Sequence, residues 1–539
     1  MKKILLLSLI IVLGVFTISA QETEAPTNPE FIKWQQAKAN GEDVCGEIPP
    51  PVLPHFNNTV DYGKDVQFDA VYDLRTQDWL TTPKDQANCG VCWTFTSLGS
   101  IESFLLKSGE GTYDFSEQNM RTCHGFILGD NFTCSGGSAK KAFAYLSRMD
   151  GPIEDVLLPY DADELATCTE YRADEFCFNQ MKLFPDDHDV VKQAVLDYGG
   201  IYTNMCYEGG YYNSTDNTYY FDGDLPTDHA VLLCGWDDNK LTAGGTGAWI
   251  IKNSWGDDWG ESGFFYISYN DTKFLSTVGA YPGYTRITSG DTIYMYNELG
   301  SISNTGYGAE TAYGLVKFIT GGENEINRLG TYINTEGTTI SFEVYDDKSG
   351  NTLSNLLTSM GPFTCDFPGY HSFEIPTPIL LVADEDFYVK VQYNTPGYTY
   401  PIPFEKFSDG YADPQIESGV CWISSTGSSW TAYGNDVEGK ERDLTIRAYA
   451  HDVNVSAVST INKNDFIVYP QPANDVVFVE FENDEYKTIE VLDIKGSLVL
   501  KADCNSTLFE ISNHKLVSGY YLIKVSTDKN VKTKQLIVY

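Results

Sequence analysis

Thiol-based acyl transfer needs a cysteine that can lose its proton, a base to take it and a group to orient that base. In this 539-residue chain the stretch Gln86-Ala87-Asn88-Cys89-Gly90-Val91-Cys92-Trp93 offers the first of these. Cys92 stands six residues after a glutamine and opens a predicted helix, since Phe95, Leu98, Ile101, Phe104 and Leu105 recur at helical spacing. The partial positive charge of a helix start favours a thiolate there. A buried or disulfide-bonded cysteine is the plainer reading for an exported chain, so the weight rests on what stands downstream. Thr227-Asp228-His229-Ala230 places an imidazole 137 residues after Cys92, and Lys252-Asn253-Ser254-Trp255-Gly256 places a side-chain amide 161 residues after it.

Bringing residues so far apart together requires two packed halves. After Cys92 the pattern is helical; later it turns to apolar strand runs such as Ala230-Val231-Leu232-Leu233 and Ala248-Trp249-Ile250-Ile251. A helical lobe followed by a β lobe predicts an α+β domain over residues 68–284 with a cleft between the lobes. Asp237–Gly247, rich in Asp, Asn, Gly and Thr, reads as a hairpin that lengthens a surface loop and so carries Asn253 further from Cys92.

The Gly90-Val91-Cys92-Trp93 sequence, a histidine at a separation inside the expected ~130–150 residues, and Asn-Ser-Trp-Gly beyond it together resemble the papain family of cysteine peptidases. The resemblance implies Cys92 as nucleophile, His229 as base and then acid, and Asn253 as the holder of the imidazole. It implies that Gln86 and the Cys92 backbone N–H donate to the oxyanion, and that Trp255 shields the His229–Asn253 hydrogen bond while bordering the substrate site. By the same resemblance Cys89 pairs with Cys134 and Cys123 with Cys168. Ser135-Gly136-Gly137 is then the edge where a substrate backbone pairs, and Ala139, Ala230 and Val278 line the pocket for the second residue before the cut, favouring an apolar side chain. Val91 departs from the small residue usual beside the nucleophile. No insertion between Cys168 and Gly200 blocks the cleft, which implies an endopeptidase. No metal and no organic cofactor is implied.

The rest of the chain sets compartment and address. Lys2-Lys3, the apolar run Ile4–Ile18 and Ser19-Ala20 predict a signal peptide over residues 1–20, and no later run is long enough to span a membrane. Of 12 cysteines, setting Cys92 aside leaves 11, so at least one other thiol stays unpaired. A net charge of −39 argues against nucleic-acid partners. Residues 21–67 hold a short predicted helix over 31–38 and an extended Ile48-Pro49-Pro50-Pro51-Val52-Leu53-Pro54. They read either as a linker or as a segment covering the cleft, and are too short for the long helical propeptide of many papain relatives.

Residues 290–450 alternate with period two (Ile340, Phe342, Val344; Phe387, Val389, Val391, Tyr393) and predict a β-sandwich, with Cys365 and Cys421 as a possible bridge within it and Cys177 and Cys206 as another upstream. Tyr307-Gly308, Tyr400–Glu405 and Trp430 resemble the lectin-like domain appended to some prokaryotic papain-type peptidases, which implies carbohydrate as a partner; core packing and a docking or spacer role are the plainer account of the same aromatics. Residues 459–539 predict a small C-terminal β-sandwich carrying only −2 of the charge. Tyr469-Pro470-Gln471-Pro472-Ala473, Leu516–Val525 and Lys532–Gln535 resemble the type IX secretion system sorting domain, implying secretion machinery as a partner and delivery outside, or onto the outer surface of, a Gram-negative bacterium. Two readings follow: a secreted cysteine endopeptidase acting on extracellular proteins, or a surface adhesin using a peptidase-like fold without proteolysis. A transglutaminase-like acyl transferase would favour Asp over Asn253.

Overall fold

A computed structural model of the chain describes residues 21–41, 46–57, 66–126, 134, 136–163, 168 and 175–452, and, C-terminally, 466–469, 476–481, 484, 486–493, 497–512, 516, 519–527 and 531–538. The expected leader, Cys45 and Ser135 lie outside the described residues. Among those residues no helix is long and apolar enough to cross a membrane. The chain divides into two units, residues 1–452 and 453–539.

In the larger unit, the helix Cys92–Lys107 is the centre of the helical lobe. Leu98, Ile101 and Leu105 are fully buried along it, each contributing about 1.5–3 kcal/mol of apolar burial. Phe104, expected on the same stripe, is only half-buried. Short helices Glu117–Cys123 and Ala139–Leu146 pack beside it. Disulfides Cys89–Cys134 and Cys123–Cys168 tie the lobe together.

The β lobe is part of one thirteen-stranded sheet. In order across it run Asp291–Tyr294, Ile446–Asp452, Asn324–Ile333, Gly369–Leu381, Phe176–Phe184, Val278–Arg286, Ile201–Met205, His229–Thr242, Gly245–Lys252 and Phe264–Ser268, then two short strands, while Val71–Asp73 pairs with His229–Thr242 off this path. The first four strands belong to the middle domain. They join the strands of the β lobe through Gly369↔Lys182 and Tyr370↔Met181. Tyr332, Tyr370 and Tyr449 of the middle domain share a core with Cys92, Phe143 and Tyr281, and the buried Arg447 donates to the Ser147 carbonyl (3.1 Å) and hydroxyl (2.7 Å). Two domains with a break near 284–290 are therefore joined by one continuous sheet and by a core they share. A spacer reading of the middle domain does not fit this continuity.

The middle domain closes its core with a six-stranded sheet in the order Thr352–Cys365, Thr338–Ser349, Asp386–Asn394, Thr311–Ile319, Cys421–Ser424, Thr431–Tyr433. Cys365 and Cys421 sit on strands separated by three others, roughly 19 Å at ~4.8 Å per strand, beyond the ~7 Å a disulfide tolerates. Both are buried thiols. Cys177 and Cys206 are likewise free, because Val278–Arg286 lies between the strand of Cys177 and Ile201–Met205, which Cys206 follows. Cys234 is a buried thiol too. The Asp237–Gly247 hairpin is paired strand almost to its tip, Thr242↔Gly245, with a register shift between Asp237 and Leu241. It lengthens a strand pair, not an open loop.

The C-terminal unit is a small sandwich of Phe466–Tyr469, Val476–Phe481 and Leu508–Ser512 against Leu498–Cys504, Lys487–Asp493, Gly519–Ser526 and Val531–Val538. Val477, Val479, Ile489, Val491 and Ile523 fill its core by strand alternation.

Candidate active site

Cys92 is the first residue of its helix, and no side chain caps that start. The Thr94 N–H donates to the Val91 carbonyl at 2.9 Å. The Ala230 N–H donates to Cys92 Sγ at 3.2 Å, which sets the strand beginning at His229 directly against the sulfur. His229 Nε2 lies 2.8 Å from Asn253 Oδ1. The same oxygen accepts from the Ser254 N–H at 2.9 Å. A backbone N–H is always a donor, so it fixes which end of the Asn253 amide is oxygen. His229 Nε2 must therefore carry its hydrogen, and in the neutral ring Nδ1 is the basic nitrogen. Trp255 stacks on the imidazole, centroids 4.8 Å apart at 18°, and is itself braced by Tyr207 and Trp259.

Gln86 is held on every side. Its N–H donates to the Ser254 carbonyl (2.8 Å) and its carbonyl accepts from the Tyr160 hydroxyl (2.8 Å). Its Oε1 accepts from the Ser254 hydroxyl at 2.5 Å, and its Nε2 donates to the Cys89 carbonyl at 2.8 Å. The second Nε2 hydrogen remains to donate elsewhere. Ser254 stood in plain view within the Asn-Ser-Trp-Gly run, but a lone hydroxyl just past a strand carries no signal of its partner 168 residues away.

The cleft is covered. Gly46-Glu47-Ile48 threads between the lobes: Gly137 N–H donates to the Gly46 carbonyl (2.8 Å), Ile48 N–H to the Gly137 carbonyl (2.6 Å), and Glu47 N–H to the Asp228 carbonyl (3.0 Å). A Cβ on Gly46, whose φ is +104°, would stand 2.0 Å from the Asp228 carbonyl oxygen and 3.9 Å from Cys92 Sγ. A Cβ on Gly137 would enter the Trp93 ring at 2.2 Å. Only glycine fits at either crossing. Gly136 borders the same contact. The Glu47 carboxyl is buried, with Oε2 accepting from the Tyr202 hydroxyl.

The covering has an electrostatic consequence. Burial pushes the Cys92 thiol far up, and the Glu47 and Asp228 carboxylates add to this against the opposing Ala230 N–H. Burial brings His229 down to about 4, against the Asn253 hydrogen bond that raises it. Thiol and imidazole are both neutral in this form.

Ala139 and Val278 line a cavity of about 250 Å³ together with Leu183, Phe184 and Leu275, and Glu47, Pro50 and Leu53 border it from the covering segment. Ala230 does not line this cavity; it lies buried at the sulfur. Leu183, Phe184, Leu275 and Tyr202 escaped the sequence reading, because each comes from a separate strand or turn with no motif around it. Trp255 lies on the His229 side and away from this cavity.

The covering segment, a strap, is anchored on the middle domain at both ends. Thr23–Glu24 pairs with Ser303–Gly306. The helix Pro29–Ala39, starting two residues before the expected one, buries Phe31 and Trp34 against Tyr411. His55 exchanges backbone hydrogen bonds with Asn334 and Glu336.

Comparison with known proteins matches residues 68–280 to the papain family cysteine protease model, 293–450 to the lectin like domain and 467–539 to the secretion system C-terminal sorting domain. Vignain of Phaseolus vulgaris is 29% identical over 262 residues, covering 47% of this chain and 67% of its own. The viral cathepsin of Heliothis zea nuclear polyhedrosis virus is 32% identical over 222 residues, covering 40% and 56%. The chain thus spans between about half and two thirds of the length of these relatives. In fold it is similar to the crystal structure of the cysteine protease and lectin-like domains of Cwp84, a surface layer associated protein of Clostridium difficile. That likeness has 21% identity and a TM-score of 0.69, over 80% of this chain and 98% of that one.

Proposed function

With residues 68–280 a papain-family cysteine protease domain as premise, we propose that this chain is an exported cysteine endopeptidase that is latent while Gly46–Ile48 covers Cys92. Once the strap leaves, water reaches the site and the burial that holds thiol and imidazole neutral is relieved. The Cys92 thiol then gives its proton to His229 Nδ1, and the sulfur attacks the substrate carbonyl carbon. The free Nε2 hydrogen of Gln86 and the Cys92 N–H receive the oxyanion, each such donor being worth about 3 kcal/mol in the transition state. The C–N bond breaks as His229 returns the proton to the leaving amine. A water, deprotonated by His229, splits the thioester and restores the thiol. Asn253 keeps Nε2 bound and Nδ1 free throughout.

The observation that carries this reading is the double donation onto Asn253 Oδ1, which commits His229 to the tautomer the chemistry needs. The apolar cavity at Ala139 and Val278 supports an apolar side chain at the second residue before the cut. The sorting domain supports passage across the outer membrane to the medium or the cell surface, with extracellular proteins as substrates. The test is labelling of the processed protein by a thiol-directed epoxysuccinyl probe, with peptide cleavage followed in parallel. Cys92→Ala is expected to abolish both, the rate falling by about 10⁴ or more. Labelling and cleavage that persist in Cys92→Ala would overturn the assignment.

A further inference from the structure

Thr23–Glu24 is the outermost strand of a four-stranded sheet whose next members are Ser303–Gly306, Ile402–Glu405 and Asp443–Leu444. Its register is Thr23↔Gly306 and Glu24↔Thr305, and the Ala25 N–H donates to the Asn304 carbonyl at 2.8 Å. Around this two-residue strand stands a group of cations out of proportion to its length. Arg442 divides its fork: Nη1 meets Glu22 Oε1 at 2.9 Å and Nη2 meets Glu24 Oε2 at 3.1 Å. Lys440 Nζ meets Glu22 Oε2 at 3.0 Å, and Lys406 Nζ pairs with Glu24 Oε1. The Tyr433 hydroxyl donates to Glu22 and the Ser303 hydroxyl to Glu24.

The Arg442, Lys440 and Lys406 side chains are 15%, 30% and 32% exposed. Glu22 pairs with Arg442 and Lys440 and Glu24 with Arg442 and Lys406, so the two carboxylates between them meet all three. Resting on the reading of the strap as a removable cover, its departure has two consequences here. Ser303–Gly306 becomes a sheet edge with unpaired N–H and C=O groups. Three part-buried cations lose their counter-charges, which a low-dielectric site tolerates poorly. An uncharged sugar would satisfy neither. An extended peptide with carboxylates on alternate residues satisfies both, because residues i and i+2 of a strand point to the same side.

We propose that the Ser303–Gly306 edge, with Arg442, Lys440 and Lys406, is a docking site for an acidic extended segment of a protein substrate, which the chain's own Glu22–Glu24 fills until the strap leaves. The strap also shows that one polypeptide can run from this edge to the catalytic cleft, since Glu24 and Gly46 belong to it.

The test uses full-length Cys92→Ala protein lacking only residues 21–26, so that the edge is vacant and proteolysis plays no part. Two fluorescein-labelled peptides serve as probes: Gln-Glu-Thr-Glu-Ala-Pro-Thr, which is residues 21–27, and the unrelated Thr-Glu-Thr-Glu-Thr. Both are expected to bind saturably by anisotropy, more weakly as salt rises. Glu-to-Gln forms of the peptides, Arg442→Ala, and the milder Lys440→Gln with Lys406→Gln should each weaken binding roughly tenfold or more. The undeleted Cys92→Ala protein should bind neither peptide. Binding of the chain's own segment alone would reduce the edge to a latch and overturn the substrate role. Absence of binding by both, in protein whose melting temperature matches that of the undeleted form, would overturn the proposal altogether. Because no turnover is read, a failure of the peptidase assignment leaves this result standing.

Discussion

The strap touches the molecule in two places built on opposite principles. At the cleft, Gly46-Glu47-Ile48 makes three backbone hydrogen bonds and buries one carboxyl, with a glycine where any side chain would collide. On the middle domain, Phe31 and Trp34 enter an aromatic cluster with Tyr411, Glu22 and Glu24 meet three cations, and His55 pairs with backbone. The cleft contact is thin and precise; the middle-domain contact is broad, apolar at Phe31 and Trp34 and ionic at Glu22 and Glu24. Blocking falls to the cleft, whereas holding rests largely on the middle domain, with Ile48, Phe126 and Ala144 completing the cluster around Phe31 and Trp34. The middle domain supplies most of the grip on the strap.

The sharpest way to break this division is to damage each contact separately. Gly46→Val forces a Cβ against the Asp228 carbonyl while leaving Phe31 and Trp34 in place. The unprocessed chain should turn from inert to active, by about 10² or more on a small peptide, with the helix Pro29–Ala39 still protected from hydrogen exchange. Phe31→Ala with Trp34→Ala should instead release the whole strap, since truncating large buried aromatics costs about 3–5 kcal/mol each. Protection would vanish along with the block. Equal loss of protection in both variants would show one cooperative contact and refute the division.

A smaller effect should appear with pH. Burial pushes the seated Glu47 up from 4.5 to about 8, against the Tyr202 hydroxyl that lowers it. The groups facing it are the Tyr202 hydroxyl, the Cys92 thiol, and Tyr281 and Tyr411. Between those values the seated strap holds a proton that the free strap does not. Covering also takes a proton from His229, whose ring falls from 6.5 to about 4, so the two effects offset below about 6.5 and seating weakens with rising pH between about 6.5 and 8. Inhibition of the processed Cys92 enzyme by an added strap peptide should weaken by up to tenfold per pH unit across that window. With Glu47→Gln it should be nearly flat from 6.5 to 8; an unchanged slope there would remove Glu47 from the account.

The two contacts also differ in what the sequence discloses. Cys92, His229, Asn253 and Gln86 stand in local patterns whose order along the chain is itself information, and the strand alternation of the β domains is equally local. The strap's partners are not. Glu22 meets Arg442 across 420 residues and Phe31 meets Tyr411 across 380, with nothing in either neighbourhood to announce the other. Cys365 and Cys421 failed for the same reason in reverse: two cysteines in one predicted sandwich look pairable until strand order puts three strands between them. The weld at Gly369–Lys182 joins two runs that each read as complete strands.

The smallest expected effect lies inside the cleft, at Ser254. Its hydroxyl donates to Gln86 Oε1 and its carbonyl accepts the Gln86 N–H. Substitution by alanine removes the first and keeps the second, so Gln86 stays in place but its amide loses the donor that tells oxygen from nitrogen. The Cys89 carbonyl still favours the same orientation through Nε2, which limits the damage to about 1–1.5 kcal/mol, or roughly tenfold. Because an oxyanion donor acts on the transition state more than on bound substrate, the loss should fall on kcat with KM little changed. Thiol labelling by the epoxysuccinyl probe should be slowed less than peptide turnover, since His229 and Asn253 are untouched. Equal slowing of both would mean that Ser254 acts through the Asn253 side of the cleft, where its N–H holds Oδ1. The hydroxyl would then have no separate role in aiming Gln86.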